Sequence, residues 1–121
     1  MDLSDIRNYC LSLPHATEDT PFGEDILIYR VCNKIFACID INNPDMFVAK
    51  CDPDYAIELR DAHPEIEGAY HWNKKYWNQV GNLANQRSEF VKSLIRHSYA
   101  HVLNKLTKAQ KNEFPEILEI C

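Results

Sequence analysis

Chemistry in this chain has to start from residues 70 to 80, Tyr-His-Trp-Asn-Lys-Lys-Tyr-Trp-Asn-Gln-Val, which gather both tryptophans, two adjacent lysines and two tyrosines between Gly68 and Gly81. Exposed Trp, Tyr or His can stack on bases or wedge into a groove, and lysine neutralises phosphate. The segment also opens the basic part of an acidic protein. Residues 1–70 carry five Lys/Arg against fourteen Asp/Glu and residues 71–121 eight against four, so the whole-chain charge of −5 hides a division into −9 and +4. Between His71 and Asn112 the sole acid is Glu89. Residue types and spacing thus nominate a nucleic-acid-binding surface. The plain alternative is that Trp72, Tyr76 and Trp77 are core and the lysines only discourage edge aggregation.

Other chemistries are poorly represented. His97 and His101 sit four apart on a predicted helix, close enough to share a metal, but no Glu or Cys at helical spacing completes a set, so no metal is expected. There is no G-x-S-x-G elbow and no recognisable context for a nucleophilic cysteine. The acid groups Glu18-Asp19, Glu24-Asp25 and Asp52 with Asp54 read as solubility and capping residues. Pro21-Phe22-Gly23 offers one glycine without a lysine or serine at Walker spacing, and reads as a shaped turn with Phe22 tucked into the core. Five cysteines, at 10, 32, 38, 51 and 121, form an odd set with no C-x-x-C pair, as expected of reduced and mostly buried thiols. Binding without a catalytic step or a cofactor is the resulting expectation.

The elements that position these residues follow from periodicity. With 121 residues and 45% hydrophobic content, one domain over 1–121 with one ordinary core is expected. No run approaches the roughly 18 apolar residues of a membrane span, and Met1-Asp2-Leu3-Ser4-Asp5 lacks the features of a signal peptide, so the expected location is cytoplasmic. Leu3, Ile6, Tyr9, Cys10 and Leu13 recur at helical spacing before Pro14, predicting a helix over 3–13. Residues 14–25 have loop composition. Strands are predicted at 26–32 and 35–41 around an Asn33-Lys34 turn, pairing 32 with 35, and this register puts Ile26, Ile28, Arg30, Cys32, Ile35, Ala37, Ile39 and Ile41 on the core side. A third strand is predicted at 46–51, then a helix from Asp52-Pro53 to about Ala62. Short strands at 66–70 and 76–80 flank the Trp72–Lys75 connection. A long helix is predicted from Gln86 to Leu106, and a further short one from Thr107 to Phe114. This order predicts an α+β fold: an antiparallel sheet of about five strands packed with helices.

The same landmarks carry a family resemblance. Leu13-Pro14 with Glu18, Thr20-Pro21-Phe22-Gly23, the hairpin from Tyr29 to Ala37, Lys50-Cys51-Asp52-Pro53, Tyr70 to Trp77, and Ser98-Tyr99 occur in an order and spacing that resembles the MmcQ/YjbR family of small bacterial proteins over nearly the whole chain. The resemblance implies a CyaY-like fold and a role in DNA binding through a "double wing", a curved sheet with two projecting edges. An acidic sheet would repel the phosphate backbone. The DNA contact is therefore expected on Lys74, Lys75, Arg87, Lys92 and Arg96, with Trp72 or His71 in close contact, while Lys34 and Lys50, which match the family pattern in the sheet, add phosphate contacts. DNA held in a salt-sensitive way is the leading partner. The rival is a protein-binding or regulatory module that docks a basic partner on its acidic half and anchors it with residues 70–80. A third reading is a small-molecule site or an enzyme with a pocket between the long helix and the sheet.

Overall fold

In the computed structural model, which describes residues 1–106, three helices cover one face of a six-stranded sheet. The short helix predicted from Thr107 lies outside the described residues. Helix α1 (Leu3–Ser12) begins on a reciprocal cap, in which the Asp2 carboxylate accepts from the Asp5 N–H at 2.9 Å and Asp5 accepts from the Asp2 N–H at 3.1 Å. Strands β1 (Ala16–Asp19), β2 (Ile26–Val31), β3 (Lys34–Asp40) and β4 (Phe47–Lys50) follow. Helix α2 (Pro53–Ala62) starts as its sequence demands, with Pro53 in the first turn and the Asp52 carboxylate accepting from the Asp54 and Tyr55 N–H groups. Strands β5 (Ile66–Gly68) and β6 (Trp77–Val80), a 3-10 turn at Leu83–Asn85 and the long helix α3 (Ser88–Asn104) complete the order. All pairings are antiparallel, in the spatial order β1-β2-β3-β4-β6-β5.

Three expectations are corrected. The stretch read as loop contains the edge strand β1, whose Ala-Thr-Glu-Asp sequence has too little apolar character to announce itself. Its inward carboxylate, Glu18, is matched by Arg7 Nε at 2.7 Å and by the hydroxyl of fully buried Tyr29 at 2.9 Å. An inward charge also blunts a sheet edge.

The hairpin turn is Cys32-Asn33, both with left-handed backbone (φ 50° and 65°), so Val31 pairs with Lys34. Two positive φ angles match the twist of the flanking strands, and this geometry rather than composition sets the register. A bulge then makes Phe36 an extra residue, because Arg30 faces Ile35 while Tyr29 faces Ala37. The side packed under the helices is consequently Tyr29, Val31, Phe36, Ala37 and Ile39, whereas Ile26, Ile28, Ile35 and Cys38 lie on the other side, in a second apolar cluster with Val48 and Trp77. The face predicted to be core was thus a mixture of the two. The third correction concerns Phe22, which is 63% exposed rather than tucked into the core.

Two side chains on consecutive positions of α3 fasten this frame. The Ser98 hydroxyl donates to the carbonyl of Phe36, the extra residue of the bulge, and the Tyr99 hydroxyl donates to the Pro14 carbonyl at 2.6 Å. They hold α3 to the middle of the sheet and to the corner between α1 and β1.

Candidate nucleic-acid interface

Antiparallel pairing fixes which connections share an end of the sheet. The Cys32-Asn33 turn and the connection between β5 and β6 leave from one end, with the end of β4 between them, because Lys50 pairs with Trp77 and Gly68 with Asn78. A 17-residue helix spans about 25 Å, as long as the longest strand, so α3 starts at the opposite end and delivers Lys105 to this one. Two projecting connections therefore carry Lys34 and Lys74-Lys75, and Lys50 and Lys105 lie between or beside them.

The electrostatics of Lys50 register this crowding. Burial first, then the like charges of Lys34 and Lys105, push its ammonium below the usual lysine value. Its Nζ lies 5.8 Å from the centre of the Trp77 ring. Lys75 Nζ similarly lies 5.5 Å from the Tyr76 ring. None of these five lysines forms an ion pair among the described residues, whereas Arg7 pairs with Glu18 at 2.7 Å and Arg30 with Asp19 at 3.2 Å.

The helical part of the expected face is elsewhere. Arg87 sits at the start of α3, at the opposite end. Lys92 and Arg96 face α1, with Lys92 Nζ 5.6 Å from the Tyr9 ring and Arg96 Nη1 donating to the Tyr9 hydroxyl at 2.9 Å. Lys74 and Lys75 lie beyond α2, whose Arg60 donates to the Lys74 carbonyl at 2.7 Å. The fold thus gathers Lys34 and Lys105 around Lys50, puts the Lys74-Lys75 connection at the same end of the sheet, and separates Arg87, Lys92 and Arg96 from them. Helix length against strand length is the signal that would have found Lys105.

The aromatic segment divides as well. Trp77 is buried, and Trp72 lies tilted against it at 4.4 Å between ring centres, half-buried. Tyr70 is 76% exposed and His71 is exposed beside it, their rings edge-to-face at 4.6 Å. His71 and Tyr70 are therefore the rings free to meet a partner, and Trp72 has one face already occupied.

Acidic residues gather at the opposite end. Asp25 accepts from Asn42, Asp40 accepts from Asn42 and Asn43, and Asp45 accepts from Ala84, all around the connection between β3 and β4. Near the lysine end, Asp52 at the start of α2 is committed to its cap, and Asp19 is paired with Arg30, whose Nη1 donates to the Asn33 carbonyl in the turn. The charge division read along the chain becomes, in the fold, a division along the strands.

The two histidines of α3 form no metal site with their neighbours: among the described residues no group of three or more His, Cys, Asp or Glu could hold an ion. His97 Nε2 accepts from the Asp52 N–H at 3.2 Å and its ring stands edge-to-face on Tyr55 at 4.6 Å, which makes it a packing and capping residue. Burial pushes the Cys51 and Cys10 thiols up to about 12 and Cys38 to about 11, so these thiols stay protonated at neutral pH. No helix among the described residues is long and apolar enough to cross a membrane.

Comparison with known proteins agrees with this architecture. The YjbR family model matches residues 11–101. The chain is 26% identical over 103 residues to Escherichia coli O157:H7 "Uncharacterized protein YbdF", covering 84% of each, and 24% identical over 115 residues to YjbR of Escherichia coli K12, covering 92% of this chain and 95% of that one. Among solved structures it is similar to protein DR2400 of Deinococcus radiodurans, a DUF419 domain, with a TM-score of 0.84 and 36% identity over 92% of this chain and 86% of that one. A Pseudomonas syringae protein at 23% identity shares the fold, with a TM-score of 0.67 over 81% of this chain and 96% of its own.

Proposed function

The chain belongs to the YjbR family, and from that premise we propose that it is a non-catalytic nucleic-acid-binding protein that meets DNA with the lysine end of its sheet. The observation that carries this reading is the convergence of Lys34 and Lys105 on Lys50, close enough that their charges disfavour its own, with no carboxylate partner for any of the three among the described residues. Like charges left together in an acidic protein cost stability, and an anionic partner relieves that cost. The turn bearing Lys34 and the connection bearing Lys74 and Lys75 would straddle the phosphate backbone. Tyr70 and His71 supply exposed rings next to it.

Fluorescence anisotropy with labelled single- and double-stranded DNA across a salt series tests the proposal. Replacing Lys34, Lys50 and Lys105 together by alanine is expected to weaken duplex binding and to lower the slope of log affinity against log salt by roughly 2 to 3. Replacing Arg87, Lys92 and Arg96 by alanine is expected to change the slope by less than about 1. Equal effects of the two triple variants, or no binding at low salt, would remove the lysine end from the model.

A further inference from the structure

The open side of the sheet, away from the helices, contains a cleft of about 630 Å³, which shares Tyr70 and His71 with the nucleic-acid reading but none of its lysines. Its floor is apolar, with Val48, Cys38 and Ile26 from three adjacent strands. Phe22 and Tyr70 stand at its edge, two of the most exposed large apolar side chains among the described residues, and Trp72 forms part of the wall. Such a volume is in the range that takes a small organic molecule. Aromatic walls over a flat β floor favour a planar one.

The polar lining decides the charge of that molecule. It contains Asp40, Asn43, Gln79 and His71, and neither lysine nor arginine. The Asp40 oxygens each accept one hydrogen bond, from the Asn42 N–H and from Asn43 Nδ2, both at 2.9 Å, and a carboxylate has capacity for further donors. Gln79 Nε2 already donates to Glu67 at 3.2 Å, so its carbonyl oxygen remains as an acceptor. Asp25 lies next to this rim, since the Ile41 N–H bonds its carbonyl at 2.9 Å. The cleft is therefore greasy and aromatic within, rich in acceptors, and negative at its mouth.

We propose that this cleft binds a planar aromatic or heteroaromatic small molecule carrying an amino or other cationic donor, seated against Trp72 and Phe22 with its charged end toward Asp40. The site contains none of the lysines of the nucleic-acid reading, with which it shares only the rings of Tyr70 and His71, and an anionic small molecule is disfavoured beside Asp40.

Tryptamine and indole-3-propionate form a suitable probe pair, with the same ring and opposite charge. The chain has two tryptophans, so two indole N–H signals report on Trp72 and Trp77 in a ¹⁵N-labelled sample. Tryptamine up to about 1 mM is expected to shift the Trp72 signal and those of Met46 and Gln79, with indole-3-propionate binding about tenfold more weakly. Asp40→Asn should close most of the gap between the probes while leaving the spectrum folded. Val48→Phe, which fills the floor, should abolish both, and a melting curve of each variant shows that it is folded. The proposal is overturned if neither probe shifts these signals, if both bind equally to the unmodified protein, or if the signals shift with protein concentration alone, which would mark the face as a self-association surface.

Discussion

At the scale of single residues, Glu18 shows how a side chain with solubility composition becomes structural. The hydrogen bond from Arg7 holds its carboxyl below the usual range, and the bond from the buried Tyr29 hydroxyl acts in the same direction. A lowered carboxylate pKa contributes stability that is present above the unfolded value near 4.5 and lost as pH falls through the lower folded value. Glu18→Ala leaves the Tyr29 hydroxyl without its acceptor, and is expected to cost about 1–3 kcal/mol in urea denaturation at neutral pH. Tyr29→Phe removes the donor instead and should cost about 1 kcal/mol, and in the Tyr29→Phe background the cost of Glu18→Ala should shrink. Additive losses would mean that the two side chains act separately. The residue types at 16–19 were plain in the sequence. What they did not contain was the partner, since Arg7 and Tyr29 are each eleven positions from Glu18 and only the corner at Pro14 and the return of β2 bring them to it.

At the scale of elements, helices were legible because their signals are local: Asp2 and Asp52 as caps, Pro53 in the first turn, the apolar stripe of α3. Strand existence was legible for β2 to β6 for the same reason, whereas register was not. The turn at Cys32-Asn33 depends on two positive φ angles that cysteine does not advertise, and the bulge depends on a bond from another element, Ser98 to Phe36. The junction of α2 with α3 offers a test of such cross-element contacts. His97 Nε2 accepts from the N–H of Asp52, so its ring must be neutral there, and burial lowers its pKa despite the opposing charge of Asp52. Burial likewise lowers His101, reinforced by Lys50, Lys105 and His97 and opposed by Asp52. A histidine whose folded pKa lies below its unfolded value near 6.5 binds fewer protons in the native state, so stability is present above that pH and declines as pH falls below it. The melting temperature should therefore fall between pH 7.5 and 5.5, before the carboxylates begin to titrate. In His97→Phe with His101→Phe that decline should be smaller, and an unchanged decline would assign the pH dependence to other groups.

For the whole molecule, the arrangement of charge matters more than its sum. A chain of net −5 should be repelled by DNA at long range, yet its acids around Asp25, Asp40 and Asp45 lie at one end of the strands and the lysines of the candidate site at the other. The sequence showed that charge was divided, and divided it at the wrong place, between the first 70 residues and the rest. Lys34 and Lys50 belong to the acidic half by position and to the basic end by folding, while Arg87 does the reverse. Such a molecule is steered as a dipole. Because the Debye length falls from about 30 Å at 0.01 M salt to about 8 Å at 0.15 M, the acidic end would act on a phosphate backbone held at the proposed lysine end only in dilute salt. Glu24→Gln, Asp25→Asn and Asp45→Asn together keep the side-chain acceptors of Asp25 and Asp45 and remove three charges from the far end. This variant is expected to bind DNA more tightly than the natural protein at about 0.01 M salt and to converge with it near 0.15 M, in the same anisotropy titration. An improvement that persists at the higher salt would place those carboxylates in the contact itself, and with them the binding surface at the other end of the sheet.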